Sequence, residues 1–180
     1  DKKGIACGAF NVGNMEMVRG VIAAAEDMNT PVIMQIAEVR LPYSPLELMG
    51  PMMLNAAKNA KVDIAVHLDH GKTMKTVRQA LEMGFTSVML DASACSFKGN
   101  IEKTREVVAV ASDHGAAVES ELAIVGGSED NSEKMKIKCT DPDDAATFCE
   151  RTGIDALAVA IGNAHGVYTA KPDLQFGILK

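Results

Sequence analysis

The sequence has 180 residues, 47% of them hydrophobic, enough for one substantial core. A net charge of -6, no basic stripe and 4% aromatic residues exclude a nucleic-acid footprint. Cys7, Cys95, Cys139 and Cys149 form no C-x-x-C pair, the chain opens on DKKG instead of a secretory leader, and no apolar run nears the ~20 residues of a membrane helix. These features point to a cytoplasmic protein without disulfides or a membrane partner.

In chain order, apolar runs bounded by turn residues predict buried strands at 5–10, 31–37, 64–68, 87–90, 116–118 and 156–161. Helix-period segments fall between them at about 14–28, 46–60, 73–83, 99–113 and 142–152, the last opened by an Asp141-Pro142 cap signal and the one before closed near Gly115. Residues 172–180 read as the start of a sixth helix. Two connections, 38–45 and 122–140, are long enough to suggest binding loops or a lid. The eleven methionines are expected to fill the core.

A repeated βα pattern fits either an open doubly wound sheet or a closed barrel. The first strand ends in Asn11-Val12-Gly13-Asn14, without the G-x-G-x-x-G of a dinucleotide sheet. The expected fold is therefore an α/β (β/α)8 TIM barrel, with about six of its eight units in residues 1–180 as a single partial catalytic domain.

In such a barrel the C-terminal strand ends share one face, and that face carries the active site. Here those ends bring Asn11, Gln35 and Glu38, Asp69 and His70, Asp91, Glu119 and Glu121, and His165. Alternation along the third strand would put His67 and Asp69 on one side and Leu68 and His70 on the other. His67 reads as a hydrogen-bonded interior residue and His114 as a cation at a helix C-terminus. His70, His165, Asp91 and Glu121 have the residue types of a zinc site with an open position, and they equally suit a solvated polar rim.

The stretches Gly8-Ala9-Phe10-Asn11-Val12, His67-Leu68-Asp69-His70-Gly71, Glu119-Ser120-Glu121-Leu122, Gly126-Gly127-Ser128-Glu129-Asp130 and 152–168 (TGIDALAVAIGNAHGVY) closely resemble the class II, zinc-dependent ketose-bisphosphate aldolases. The resemblance implies that His70 and His165 are zinc ligands and that Asp69 handles the proton on the substrate C4 hydroxyl. It also implies a second or displaced metal position at Asp91 and Glu121, and proton transfer at C3 of dihydroxyacetone phosphate by Glu129. Asn11 matches a substrate-contacting asparagine, and Gly166 a glycine near phosphate and a monovalent cation. Members of the family continue into a seventh strand with a third zinc histidine and an eighth that holds phosphate. The resemblance therefore implies that residues 1–180 are inactive alone. Ala37, Ala92 and Ala94 stand where many members have serine, glycine and histidine, which leaves fructose- and tagatose-bisphosphate open as substrates.

The implied chemistry suits the residues. Cleavage between C3 and C4 of a ketose bisphosphate leaves a carbanion, so the C2 carbonyl needs an electrophile; a divalent ion is one and a Schiff-base lysine is the other. No lysine lies inside an apolar run. The expected protein is a zinc-dependent aldolase acting on small phosphorylated ketoses and trioses and, by resemblance, a homodimer or tetramer. The alternatives are a non-catalytic barrel-derived binding subunit and a metal hydrolase on the same fold.

Overall fold

In the computed structural model, which describes residues 4, 6–122, 139–168 and 171–179, strands and helices alternate along the chain. The strands are β1 (Gly8–Asn11), β2 (Val32–Ala37), β3 (Ile64–Gly71), β4 (Ser87–Leu90), β5 (Ala117–Leu122) and β6 (Ala156–Val159). The helices are α1 (Met15–Asp27), α2 (Leu46–Asn59), α3 (Met74–Met83), α4 (Phe97–Asp113) and α5 (Pro142–Thr152). Polar side chains start most of them: Asn14, Thr73, Ser96 and Asp141 each accept a hydrogen bond from a first-turn N–H. Gly84 and Gly153 close α3 and α5 in the left-handed conformation.

All six strands are parallel and lie in sequence order, β1 through β6. One face of the sheet, with Met34, Ile36, Val66, Leu68, Val88 and Val118, packs against the helices to form the main core. The other face carries Gln35, His67 and Ser87 in adjacent register. Contacts on this face reveal the sheet's shape. Adjacent strands lie ~4.8 Å apart, so strands three apart in a flat sheet would be separated by ~14 Å. The rings of His70 on β3 and His165 beyond β6 are nevertheless centred 5.2 Å apart. Asn11 on β1 reaches Asp69 on β3 at 3.0 Å, and His67 on β3 approaches Glu119 on β5 at 3.5 Å, each across an intervening strand. The sheet is curled into a half-barrel whose concave face is polar.

Several boundaries differ from the sequence expectation. β3 runs on through Asp69, His70 and Gly71, and β5 through Glu119 to Leu122, because these polar groups face the concavity while their backbones stay in the ladder. The described part of the expected sixth helix, residues 172–179, forms no α-helix. Only a 3-10 turn at Phe176–Leu179 appears, with Gln175 N–H bonded to the Ile161 carbonyl at 2.7 Å. The 38–45 connection opens with a 3-10 turn at Glu38–Arg40. Most of the 122–140 connection, with Glu129, lies outside the described residues. No described helix is long and apolar enough to cross a membrane.

Candidate functional site

The site begins with a break in β3. His70 has φ of 42°, a left-handed conformation rare outside glycine. The β3–β4 register shifts between Leu68 and Gly71 at the same point. Gly71 permits this close approach, since a Cβ there would lie 2.5 Å from the Met89 carbonyl oxygen; Asp91 N–H donates to the Gly71 carbonyl at 2.8 Å. The alternation expected from sequence therefore fails at His70. Instead of facing away from Asp69, its Nε2 lies 4.0 Å from Asp69 Oδ1.

Among the described residues, one ligand atom each from His70, Glu121 and His165 lies within 4.8 Å of the others. Two imidazoles and a carboxylate are a donor set of catalytic zinc sites that keep a position open. His70 Nδ1 is 3.0 Å from Asp91 Oδ2, which leaves Nε2 as the nitrogen toward the group. A carboxylate behind a histidine in this way orients the ring and raises its basicity. Asp91 is itself fixed by Ser93, whose backbone N–H and hydroxyl donate to Oδ1 at 3.0 and 2.7 Å. Asp91 thus sits behind His70, outside the three-donor group.

Buried polar side chains hold the other two strands in place. Asn100 Nδ2 donates to the Glu121 carbonyl at 2.8 Å, and Thr104 pairs with Ser120 at 3.1 Å, tying β5 to α4. The Thr140 hydroxyl donates to the Leu122 carbonyl and accepts from Ala160 N–H, at 2.8 and 2.9 Å, bracing β5 against the chain just past β6. Gly162 follows there. Its φ of 100°, with Asp173 O 2.5 Å from where a Cβ would stand, lets this turn pack on the C-terminal segment.

Charge is concentrated on the concave face. Burial lowers the pKa of His70, but the Asp91 hydrogen bond and the carboxylates of Asp69, Asp91 and Glu121 outweigh it and raise the value to about 9. Burial raises that of Asp91, and the hydrogen bonds from His70 and Ser93 bring it down to about 2. Deeper in, burial is the main influence on His67; it overcomes the attraction of Asp69 and holds the ring neutral, with a pKa of about 4. Its Nδ1 pairs with Ser87 Oγ at 2.7 Å, while Nε2 is buried and closes no hydrogen bond with Glu119. Burial and then the charge of Asp69 push Glu119 upward.

Asp69 is 7% exposed and accepts from Asn11 Nδ2; Asn11 Oδ1 beside it is buried and finds no partner among the described residues. Gly166 is exposed with φ of 81°. Sequence reasoning gave Ser93, Asn100, Thr104 and Thr140 no role. Only the Asp91-Ala92-Ser93 spacing carried a signal, that of a side chain capping its own turn.

The family model described as "Fructose-bisphosphate aldolase class-II" matches residues 1–180. A fructose-bisphosphate aldolase of Giardia intestinalis is 43% identical over 167 residues, covering 92% of this chain and 51% of that protein. One from Thermus caldophilus is 42% identical over 171 residues, covering 94% and 56%. The crystal structure of the YdjI aldolase from Escherichia coli K12 aligns with a TM-score of 0.87 at 42% identity, covering 99% of this chain and 62% of that one. The chain spans between 51% and 62% of the length of these relatives.

Proposed function

Because the chain belongs to the class-II fructose-bisphosphate aldolase family, we propose that it carries the metal- and proton-handling half of an enzyme that reversibly cleaves a ketose 1,6-bisphosphate. The substrate is of the fructose or tagatose type, and the products are dihydroxyacetone phosphate and glyceraldehyde 3-phosphate. About two further βα units would close the barrel. The complete enzyme is read as a cytoplasmic homo-oligomer. The observation that carries the reading is the meeting of His70, Glu121 and His165 beside Asp69 on one concave face.

The residues fit zinc. Ligand atoms 2.0–2.2 Å from a tetrahedral ion lie roughly 3.4 Å from each other, so a group already within 4.8 Å needs only small side-chain rotations. When bound, the ion supplies Lewis acidity to the C2 carbonyl and its neighbouring hydroxyl. His70 Nε2, His165 and Glu121 would hold it, with Asp91 fixing the ring of His70. Because Asp91 already orients that ring, Asp69 is available for chemistry.

In cleavage, Asp69 takes the proton of the C4 hydroxyl, the C3–C4 bond breaks, and its electron pair stays on C3. Glu129 returns a proton to C3, and condensation runs the same transfers backward. Asn11 holds Asp69 in position through Nδ2 and offers Oδ1 to a substrate hydroxyl, giving that buried acceptor the partner it lacks among the described residues. Gly166 offers backbone at a positive φ near the phosphate and a monovalent cation. A second divalent ion would draw on Asp91 and Glu121.

Schiff-base catalysis is disfavoured. Every described lysine, from Lys58 to Lys171, is exposed, whereas a lysine nucleophile needs burial to lower its pKa. The test is an aldol-cleavage assay on the complete protein against a panel of ketose bisphosphates. Activity lost to a chelator and restored by zinc is expected; covalent trapping by borohydride with dihydroxyacetone phosphate, or hydrolysis without carbon–carbon cleavage, would overturn the reading.

A further inference from the structure

His70 holds its left-handed conformation at the end of β3, just before the turn into α3. A non-glycine residue persists there only where its surroundings over-determine the backbone. The peptide unit that joins Gly71 to Lys72 is tied through its carbonyl and its N–H to opposite neighbours. On one side the Gly71 carbonyl accepts from Asp91 N–H, just past β4. On the other, Lys72 N–H donates at 2.5 Å to Oε2 of Glu38, the first residue beyond β2. The second carboxylate oxygen of Glu38 accepts from the Thr76 hydroxyl at 3.0 Å, in the first turn of α3. One side chain thus spans the turn and the start of the helix, where its charge also complements the helix dipole.

We propose that Glu38 is a positioning residue for the metal centre, a clasp that holds the β3–α3 turn and through it keeps His70 aimed at Glu121 and His165. The inference rests on the zinc reading above. Without the carboxylate, Lys72 N–H turns to solvent, the turn is anchored on the β4 side alone, and the backbone at His70 relaxes toward an ordinary strand. The ring then swings away from the shared position while the core under α2 and α3, which Glu38 does not line, stays packed. Both carboxylate oxygens of Glu38 are committed to Lys72 N–H and the Thr76 hydroxyl, so its influence is on aim rather than on reaction.

The test measures zinc affinity by chelator competition on the complete protein, with folding checked by circular dichroism. Glu38→Ala should weaken zinc on the order of tenfold, the usual scale for groups that support a ligand. Glu38→Asp keeps the charge but shortens the arm, and should lose about as much. Glu38→Gln keeps one acceptor for Lys72 N–H and offers its amide to the Thr76 hydroxyl, so it should stay within about twofold of wild type. The cobalt-substituted protein should show an altered visible spectrum in the alanine and aspartate variants only. Wild-type affinity in Glu38→Asp, or a loss in Glu38→Gln equal to that in Glu38→Ala, would overturn the clasp, since either would mean that Glu38 acts by charge or not at all. If Glu38→Ala does not fold, the aspartate and glutamine variants decide the matter between them. A wild-type protein that binds no zinc would refute the metal reading itself and this inference with it, a failure separate from the others.

Discussion

Two histidines three residues apart on β3 have opposite fates. His67, inside the regular ladder, is 2% exposed and held neutral by burial, paired with Ser87 across the strand gap. His70, past the register shift, is pushed to about 9 by Asp91 and two further carboxylates and faces a group of potential ligands. The residue type is the same and so is the strand. The backbone geometry decides which histidine serves the wall and which serves the mouth.

The sharpest way to break this contrast is to remove each ring in turn. His70→Ala should abolish tight zinc binding and lower kcat/KM of the complete enzyme by roughly a thousandfold or more, since a lost ligand forfeits several kcal/mol of electrostatic stabilisation. His67→Ala should do the reverse, retaining zinc while destabilising the fold by about 1–3 kcal/mol, because it strips Ser87 of a buried partner. Isothermal titration and thermal melts on both variants check the pair, and equal loss of zinc in both would erase the distinction.

A smaller effect is expected from Asp91→Asn, which keeps the shape behind His70 and removes the charge. Zinc affinity should fall by about 10- to 100-fold. An unchanged affinity would mean that Asp91 does not tune the ring.

The finest test uses acid. The folded pKa of His67, about 4, lies below its ordinary 6.5, so the unfolded chain binds the extra proton between those values. Its contribution to stability is present above pH 6.5 and lost as the pH falls toward 4. His70, raised to about 9, acts oppositely, stabilising below 6.5 and losing that effect as pH rises through 9. Comparing wild type with His67→Gln cancels His70 and leaves Asp69 and Glu119 facing the same position. Between pH 7 and pH 5 the variant should lose about 2 kcal/mol less unfolding free energy than wild type. Parallel denaturant curves at the two pH values would contradict the neutral assignment.

Much of the wall was legible from sequence because its strands are apolar runs bounded by turn residues, and every predicted strand and the five interior helices have counterparts in the structure. The strand ends were not, for one shared reason. Asp69, His70, Glu119 and Glu121 look like loop residues, and only the curl that turns them toward one another makes their place in the ladder intelligible. His70, Glu121 and His165 could be named by residue type and resemblance, but their meeting depends on a register shift that periodicity cannot encode. The lack of an α-helix over the described residues 172–179 has a local cause: Gly177 lies within the segment, and the Gln175 N–H is already committed to the Ile161 carbonyl. Thr140 and Asn100 read as ordinary polar residues because their partners are backbone carbonyls far along the chain.

The strand order has a consequence for folding. Among the described residues each strand bonds only with its nearest neighbours in the sequence, so the sheet can grow one crossover at a time. The contacts that skip strands, such as Asn11 with Asp69 at a separation of 58 residues, can form only once several neighbours have joined and the sheet has begun to bend. The ligand atoms therefore come together late, after the hydrophobic layer that supports them. A metal ion arriving during synthesis would meet scattered donors, and one arriving afterward would meet a prepared cleft, so the ion would act as a lock on a finished wall and not as the seed around which it forms.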